Sequence, residues 1–560
     1  MTSLLRIEGG EIRISHGLQT HIVEIPELEV SSGSTTILLG PSGSGKSVLL
    51  KTLSGVFPTG WTQISGEIEI CGRPLGRDND GDSRNRDIFY IFQDPRTYLY
   101  SRLRVRDYFE LLQERSNGQE FAWSEFESSI NSAGLSHRLD TLSGKLSGGE
   151  AQRLIFVLMQ LLKPSLVLGD EPLSAQDRLH HETLRGSLNK FINDEQQDRG
   201  LLLVTHEIRD IERSLLEGKT PRFYVLEEQE PHRFRMSASI DAGQINEVLQ
   251  IATGGNGDQS GIDKAKTPET VRAFFRAALD LQSHYRQQES QSGNETDLLR
   301  AAALSFAWPG SGNNDALFTD LTLSTSQGKN LGVMGLSGVG KSTLAEILLR
   351  LVHGCEGDIL WFGDKSLSDT EFRTRVQYVF QDCERAMAWE TGTLTGALLG
   401  PLGKSRDKLT SDQENIFDEI LLSLGLSHLK DKKISELSGG QLRRAYIARA
   451  LFKLLADKQD SHATVLVLDE ATVGLDLVSQ QNLLALLDAY SSSSRYQLSL
   501  IIISHDPVVV RYLSDQLVVL HKEEGDSEGA HIVERLVGEE ILRGPYRHDH
   551  TRQLMDVRGG

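Results

Sequence analysis

The residues with the clearest chemistry stand in two glycine loops. Gly40, Gly43 and Gly45 lie in GPSGSGKS, Gly40–Ser47, and Gly335, Gly338 and Gly340 lie in GLSGVGKS, Gly335–Ser342. Glycines at this spacing let the backbone curl until its N–H groups converge on phosphate oxygens. Lys46 and Lys341 add a point charge for terminal phosphates, and Ser47 and Ser342 offer a hydroxyl to Mg2+. Downstream, an apolar run ends in Asp170–Glu171, and another in Asp469–Glu470. The aspartate can hold Mg2+ through water, and the glutamate can polarise an attacking water as general base. Gln93 and Gln381, each in a Phe-Gln-Asp triplet, can bind the metal or that water. His206 and His505 follow further apolar runs and can reach a terminal phosphate.

The same order of residues occurs twice. The glycine loops are offset by 295 residues, and the interval from Asp170 to His206 and from Asp469 to His505 is 36 residues in both halves. LSGG also recurs, at Leu146–Gly149 and Leu437–Gly440. Ser147, Gly148 and Gly149, like Ser438, Gly439 and Gly440, open a helical segment, where a hydroxyl and exposed N–H groups make a second anion site. One half would then own two phosphate sites for one nucleotide. The economical resolution is that the LSGG of one half completes the nucleotide site of the other.

Elements to position these residues are legible around them. Thr35–Leu39, Leu331–Met334, Leu166–Leu168, Val465–Leu468, Leu201–Val204 and Leu500–Ile503 are short apolar runs without alternation. Such runs suit strands buried on both faces of a mostly parallel sheet. Val48–Leu53 and Thr343–Leu351 read as the helices after the glycine loops. Strand, glycine loop and helix together are the context a phosphate-binding loop requires.

Length alone, at about 150 residues per domain, allows three or four domains. A repeat unit of roughly 250 residues is too long for a stacked array and points to duplication of one large domain. The expected division is 1–250 for the first domain, 251–297 for a linker and 298–560 for the second. Thr253–Gly261 and Gln287–Thr296 are polar. Between them a helix is predicted, with Thr267 as its cap, Pro268 in its first turn, and Val271, Phe274, Phe275, Ala278 and Tyr285 on one face that packs on a domain.

Composition narrows the function classes. The 560 residues carry 59 Lys and Arg against 78 Asp and Glu, a net charge of −19. That balance argues against a nucleic-acid binder with a broad basic face and against direct adsorption to anionic lipid. Cys71, Cys355 and Cys383 are far apart, so neither a zinc ribbon nor a disulfide framework has support, and a reducing compartment fits. No apolar run approaches the roughly 20 residues of a membrane helix.

Loop, glutamine, LSGG, Asp-Glu and His, in this order and twice, resemble the ATP-binding cassette family over nearly the whole chain. The resemblance implies an α/β fold: two tandem P-loop nucleotide-binding domains, each with a mostly parallel core sheet, an antiparallel β subdomain and a helical subdomain. It implies two ATP molecules with Mg2+, sandwiched between domains arranged head to tail. The first site would use Lys46, Ser47, Gln93, Asp170, Glu171 and His206 with Ser438, Gly439 and Gly440. The second would use Lys341, Ser342, Gln381, Asp469, Glu470 and His505 with Ser147, Gly148 and Gly149. Ser174–Asp177 and Val473–Asp476 match the family's loop that crosses between domains. An adenine-stacking ring is expected at Trp308, with Phe306 as runner-up, and His16 is the first half's weaker counterpart. LSGGE in the first half places Glu150 where the second has Gln441, a change expected to spare activity.

FQDPRTYL, Phe92–Leu99, and the C-terminal Gly544–Leu554 are similar to ATPases of dipeptide, oligopeptide and nickel importers. That implies an ATPase at the cytoplasmic face of the inner membrane, working through two permease subunits and an extracytoplasmic solute-binding protein, with no nucleic acid. The cargo would be a peptide, nickel, a metal chelate or an opine. A soluble twin cassette acting on ribosomes is the alternative. A DNA-repair cassette is a third, since LSGGEAQR resembles DNA-damage sensor ATPases, but their cysteine-rich zinc modules have no counterpart here.

Overall fold

The computed structural model describes residues 2–16, 19–41, 43–56, 62–74, 87–93, 95, 98–115, 122–173, 178–193, 198–205, 211, 221–230, 233–240, 242–253, 262, 267–283, 297–309, 316–336, 338–364, 367–456, 462–523 and 529–555. The chain forms two compact units, residues 1–279 with 476–478, and residues 280–475 with 479–560.

Among the described residues of the first unit, ten strands form one continuous sheet. Its parallel half runs, in spatial order, Ile88–Ile91, Leu166–Asp170, Gly200–Val204, Thr35–Leu39 and Arg222–Glu230. The central members are buried along nearly their whole length, as apolar runs without alternation require. The short strand Arg233–Met236 then pairs antiparallel to Arg222–Glu230 and parallel to Gln19–Ser31. Beyond it Gln19–Ser31, Ser3–His16, Thr62–Ile70 and Arg73–Pro74 pair antiparallel. A separate helical layer, Tyr108–Arg115, Trp123–Ser132 and Gly148–Leu162, shares a core that includes Phe126, Ile130, Leu154 and Met159.

The second unit repeats the parallel core with six strands: Val376–Val379, Thr464–Asp469, Leu498–Ile503, Leu331–Gly335 and Gln516–His521 are parallel, and His531–Val537 closes the edge antiparallel. Its other antiparallel strands, Ala316–Ser326, Asp297–Ala307 and Glu356–Trp361, form a sheet of their own. The Trp361 indole is fully buried and its N–H donates to the Leu348 carbonyl at 2.9 Å.

Two predicted details differ. The helix after the second glycine loop spans Lys341–Leu348 and stops short of Leu351. Arg350 takes φ 61 there, and a left-handed residue ends the helical hydrogen-bond ladder. The inter-domain helix forms over Glu269–Ser283, and Val271, Phe274, Phe275 and Ala278 are buried as expected, the first three packing with Ile37, Leu39, Phe223 and Val225. Thr267 does not cap it: its buried hydroxyl has no hydrogen-bond partner among the described residues, and Pro268 supplies the carbonyl for the first turn. Tyr285 and the segments 254–261, 287–296 and 457–461 lie outside the described residues.

Candidate active site

Both glycine loops run from a buried parallel strand into a helix, Thr35–Leu39 into Lys46–Leu53 and Leu331–Gly335 into Lys341–Leu348. Gly45 and Gly340 are the N-caps, at φ 94 and 98, and neither helix has a side-chain cap. Only glycine fits: a Cβ on Gly45 would lie 2.6 Å from Val23 Cγ2, and one on Gly340 would lie 2.9 Å from Leu317 Cγ. A loop of this shape can present backbone N–H groups and the positive helix end to an anion. The lysines are buried and fold back over their own loops. Lys46 Nζ donates to the carbonyls of Gly40 at 2.8 Å and Pro41 at 2.7 Å. Lys341 Nζ donates to those of Gly335 at 2.8 Å and Leu336 at 3.0 Å. Burial pulls the Lys46 ammonium down to about 8 even with Glu171 and Asp170 nearby, and an arriving phosphate would favour its charged form further.

Asp170 and Asp469 end their strands buried, 3% and 1% exposed. Ser47 bonds Asp170, and Ser342 bonds Asp469. Tyr90 and Tyr378 hydroxyls donate to the aspartates' Oδ2 atoms, each at 3.2 Å. Burial raises both carboxyls, Asp469 to about 6 with the Glu470 charge adding to the effect. Asp469 Oδ1 is a buried oxygen without a hydrogen-bond partner among the described residues. An orphaned carboxylate oxygen beside a serine hydroxyl fits a hard divalent cation such as Mg2+, which prefers oxygen donors. No cluster of three or more His, Cys, Asp or Glu residues among the described ones could hold a metal, so waters and phosphate oxygens would fill the remaining positions. Mg2+ there would neutralise charge on the terminal phosphates.

Glu171 and Glu470 both occupy the left-handed region, at φ 48 and 50, which costs a non-glycine residue about 1–3 kcal/mol. Each amide is fixed by the end of the neighbouring strand: Glu171 N donates to Val204 O at 3.0 Å, and Glu470 N to Ile503 O at 2.9 Å. Gln93 Nε2 donates to Glu171 Oε2 at 3.1 Å. In the second unit His505 takes the glutamate: its Nδ1 lies 2.8 Å from Glu470 Oε1 and its amide donates to that oxygen at 3.1 Å. Burial works against the charge of both partners, but their mutual attraction and hydrogen bond win, lowering Glu470 and raising His505 to about 9. His206, Asp94 and Ser174–Asp177 lie outside the described residues, and the Gln381 side chain is exposed.

Both LSGG segments are capping boxes. Ser147 Oγ accepts from Glu150 N at 3.2 Å while the Glu150 carboxylate accepts from Ser147 N at 2.8 Å. Ser438 Oγ accepts from Gln441 N at 3.3 Å, and Gln441 Oε1 accepts from Ser438 N at 2.9 Å. Glu and Gln can fill that position alike. The serine oxygens being acceptors, their hydroxyl protons remain available to an anion. Gly148 and Gly439 have open space where a Cβ would stand; Gly149 and Gly440 continue the first turn. Trp308 is half exposed and meets the buried Phe306 edge-on, with ring centroids 5.2 Å apart. The side chain of His16 is not among those described.

Four participants were not anticipated. Tyr90 and Tyr378 could have been found, since both triplets extend backward to Tyr-x-Phe-Gln-Asp. His21, whose ring stacks on Phe234 at 5.0 Å and borders Gly45, carries no repeated signal. Arg443 follows the second LSGG and replaces a glutamine of the first half, Gln152.

The family model described as ABC transporter matches residues 23–174 and 318–473. An uncharacterized ABC transporter ATP-binding protein of Escherichia coli (strain K12), YejF, is 26% identical over 99% of this chain and 99% of its own. YkoD of Bacillus subtilis (strain 168), described provisionally as an HMP/thiamine import ATP-binding protein, is 25% identical over 88% of this chain and 85% of its own. Among solved structures, the archaeal ribosome recycling factor aABCE1, in complex with the stalk protein aP1, superposes with a TM-score of 0.61 at 20% identity, covering 95% of this chain and 90% of that one. That likeness is one of fold alone.

Proposed function

The chain belongs to the ABC transporter family as a tandem-cassette ATPase using ATP and Mg2+, and from that premise we propose that it is the ATP-hydrolysing subunit of an importer for peptides or a related small solute. Lys46, Ser47, Gln93, Asp170, Glu171 and His206 build one ATP site, completed by Ser438, Gly439 and Gly440. Lys341, Ser342, Gln381, Asp469, Glu470 and His505 build the other, completed by Ser147, Gly148 and Gly149. The glutamates serve as general bases, the aspartates and serines hold Mg2+ with the glutamines, and Trp308 stacks on one adenine. ATP binding closes the pair of domains, and hydrolysis with phosphate release reopens it.

No described helix is long and apolar enough to cross a membrane; in this reading partner permeases supply the transmembrane path. The observation that carries this reading is Trp389. It stands just past the helix Cys383–Ala388 that follows Gln381, and it is 87% exposed. A tryptophan held in water on that loop is the kind of residue that anchors an interface. Tyr100, 58% exposed, ends the corresponding stretch of the first half. The protein would then sit peripherally at the cytoplasmic face, with a solute-binding protein acting through the permeases.

The test is copurification in detergent or nanodiscs with two membrane subunits, and ATPase activity that rises when they are added. Failure to bind any permease, with cosedimentation on ribosomes in non-hydrolysed ATP, would overturn the importer reading in favour of a ribosomal one.

A further inference from the structure

Arg443 stands one turn into the helix Gly439–Ala456 and is 7% exposed. Its guanidinium donates to three acceptors on two segments, one at Glu470 and one running from Gln381 to Glu384. Nη1 reaches the Glu470 carbonyl at 3.1 Å. Nη2 reaches the Gln381 carbonyl at 2.6 Å and Glu384 Oε2 at 3.0 Å. Glu384 lies on the helix Cys383–Ala388, the one that leads to Trp389. Farther along the same helix, Arg449 Nη1 bonds Glu390 Oε1 at 2.6 Å, a second tie to that loop.

A buried cation is costly unless its donors are satisfied, and here one carboxylate and two carbonyls satisfy them. The planar fork fixes the direction of each acceptor. Glu470 is therefore held from both sides: its amide by Ile503 O, and its carbonyl by Arg443. The first half does not write this ion pair. Aligned on LSGG, Gln152 stands opposite Arg443, and aligned on Phe-Gln-Asp, Arg96 stands opposite Glu384. Gln152 is buried, and its amide donates to the Pro172 carbonyl. Arg96 lies outside the described residues.

We propose that Arg443 is a positioning residue of the second ATP site, holding Gln381 and Glu470 in one register and passing displacement of the loop around Trp389 to the catalytic glutamate. The proposal rests on the roles given above to Gln381 and Glu470. It makes the two sites mechanically unequal, the second being linked to its loop by a charged tie where the first has a neutral amide that donates to the Pro172 carbonyl.

The test uses the full chain carrying Glu171→Gln, so that turnover reports the second site, with single-turnover phosphate release from MgATP. Arg443→Gln should lower the rate about tenfold while the ATP concentration for half-saturation moves less than about twofold, the pattern of lost alignment rather than lost binding. Arg443→Lys, a cation without the planar fork, should recover part of the rate. Glu384→Gln, which leaves the arginine in place, should lower the rate about threefold and serves if Arg443→Gln does not fold. Rates of Arg443→Gln and Glu384→Gln within about twofold of the parent would overturn the proposal, as would a rate loss tracking nucleotide occupancy alone. If adding Glu470→Gln left the parent's turnover unchanged, the fault would lie in the role given to Glu470 itself.

Discussion

The left-handed backbone at Glu171 and Glu470 is the residue-scale sign that these carboxylates are more than solvated strand ends. Strain of this kind persists only where its surroundings enforce it, and two strand-end carbonyls do so here. Glu171→Gln with Glu470→Gln should slow phosphate release about 10²–10⁴-fold, while fluorescent-nucleotide titration still shows binding. The pairing of His505 with Glu470 has a pH signature. Because His505 titrates near 9 in the folded protein against an ordinary 6.5, its contribution to stability is complete below about 6.5 and is lost as pH rises through about 9. Thermal melts between about pH 7 and 10 should therefore fall more steeply for the wild type than for Glu470→Gln. The glutamates and loop lysines were legible because their chemistry is written into type and spacing. His21 was not, because its place beside Gly45 comes from strand pairing, which leaves no local trace in the sequence.

At the scale of elements, the two capping boxes explain how Glu150 and Gln441 can stand at one position. Glu150→Ala should destabilise the chain by about 1 kcal/mol and Glu150→Gln by clearly less, read from the denaturant midpoint of unfolding. Part of the difference will include Arg138, whose Nε bonds Glu150 at 2.7 Å. The strands were legible because burial on both faces leaves unbroken apolar runs. Even Gly169, which interrupts one, belongs there: a Cβ would lie 2.7 Å from Leu203 Cδ2 and 2.9 Å from Pro172 Cγ. Helix ends were less legible. Nothing in the residue type of Arg350 announces φ 61, and Thr267 looks like a cap until tertiary packing buries its hydroxyl.

At the scale of the whole molecule, duplication predicts two nucleotides per chain. Lys46→Ala and Lys341→Ala should each remove one, taking the measured stoichiometry from about two to about one, since each deletes the point charge of its own loop. The units nevertheless differ in build. In the first, parallel and antiparallel halves are laced into one sheet by Arg233–Met236, which meets Gln19–Ser31 through the pairs Arg233–Ile22, Phe234–Val23 and Arg235–Glu24. In the second, the corresponding halves pair only through the bridge Phe318–Ala530 among the described residues, with Ala530 N donating to Leu317 O at 2.8 Å. The seam is thus a run of consecutive pairs in one cassette and a single bridge in the other, so the first should be the stiffer plank. Trimming that run to one pair would leave the first cassette jointed like its sibling.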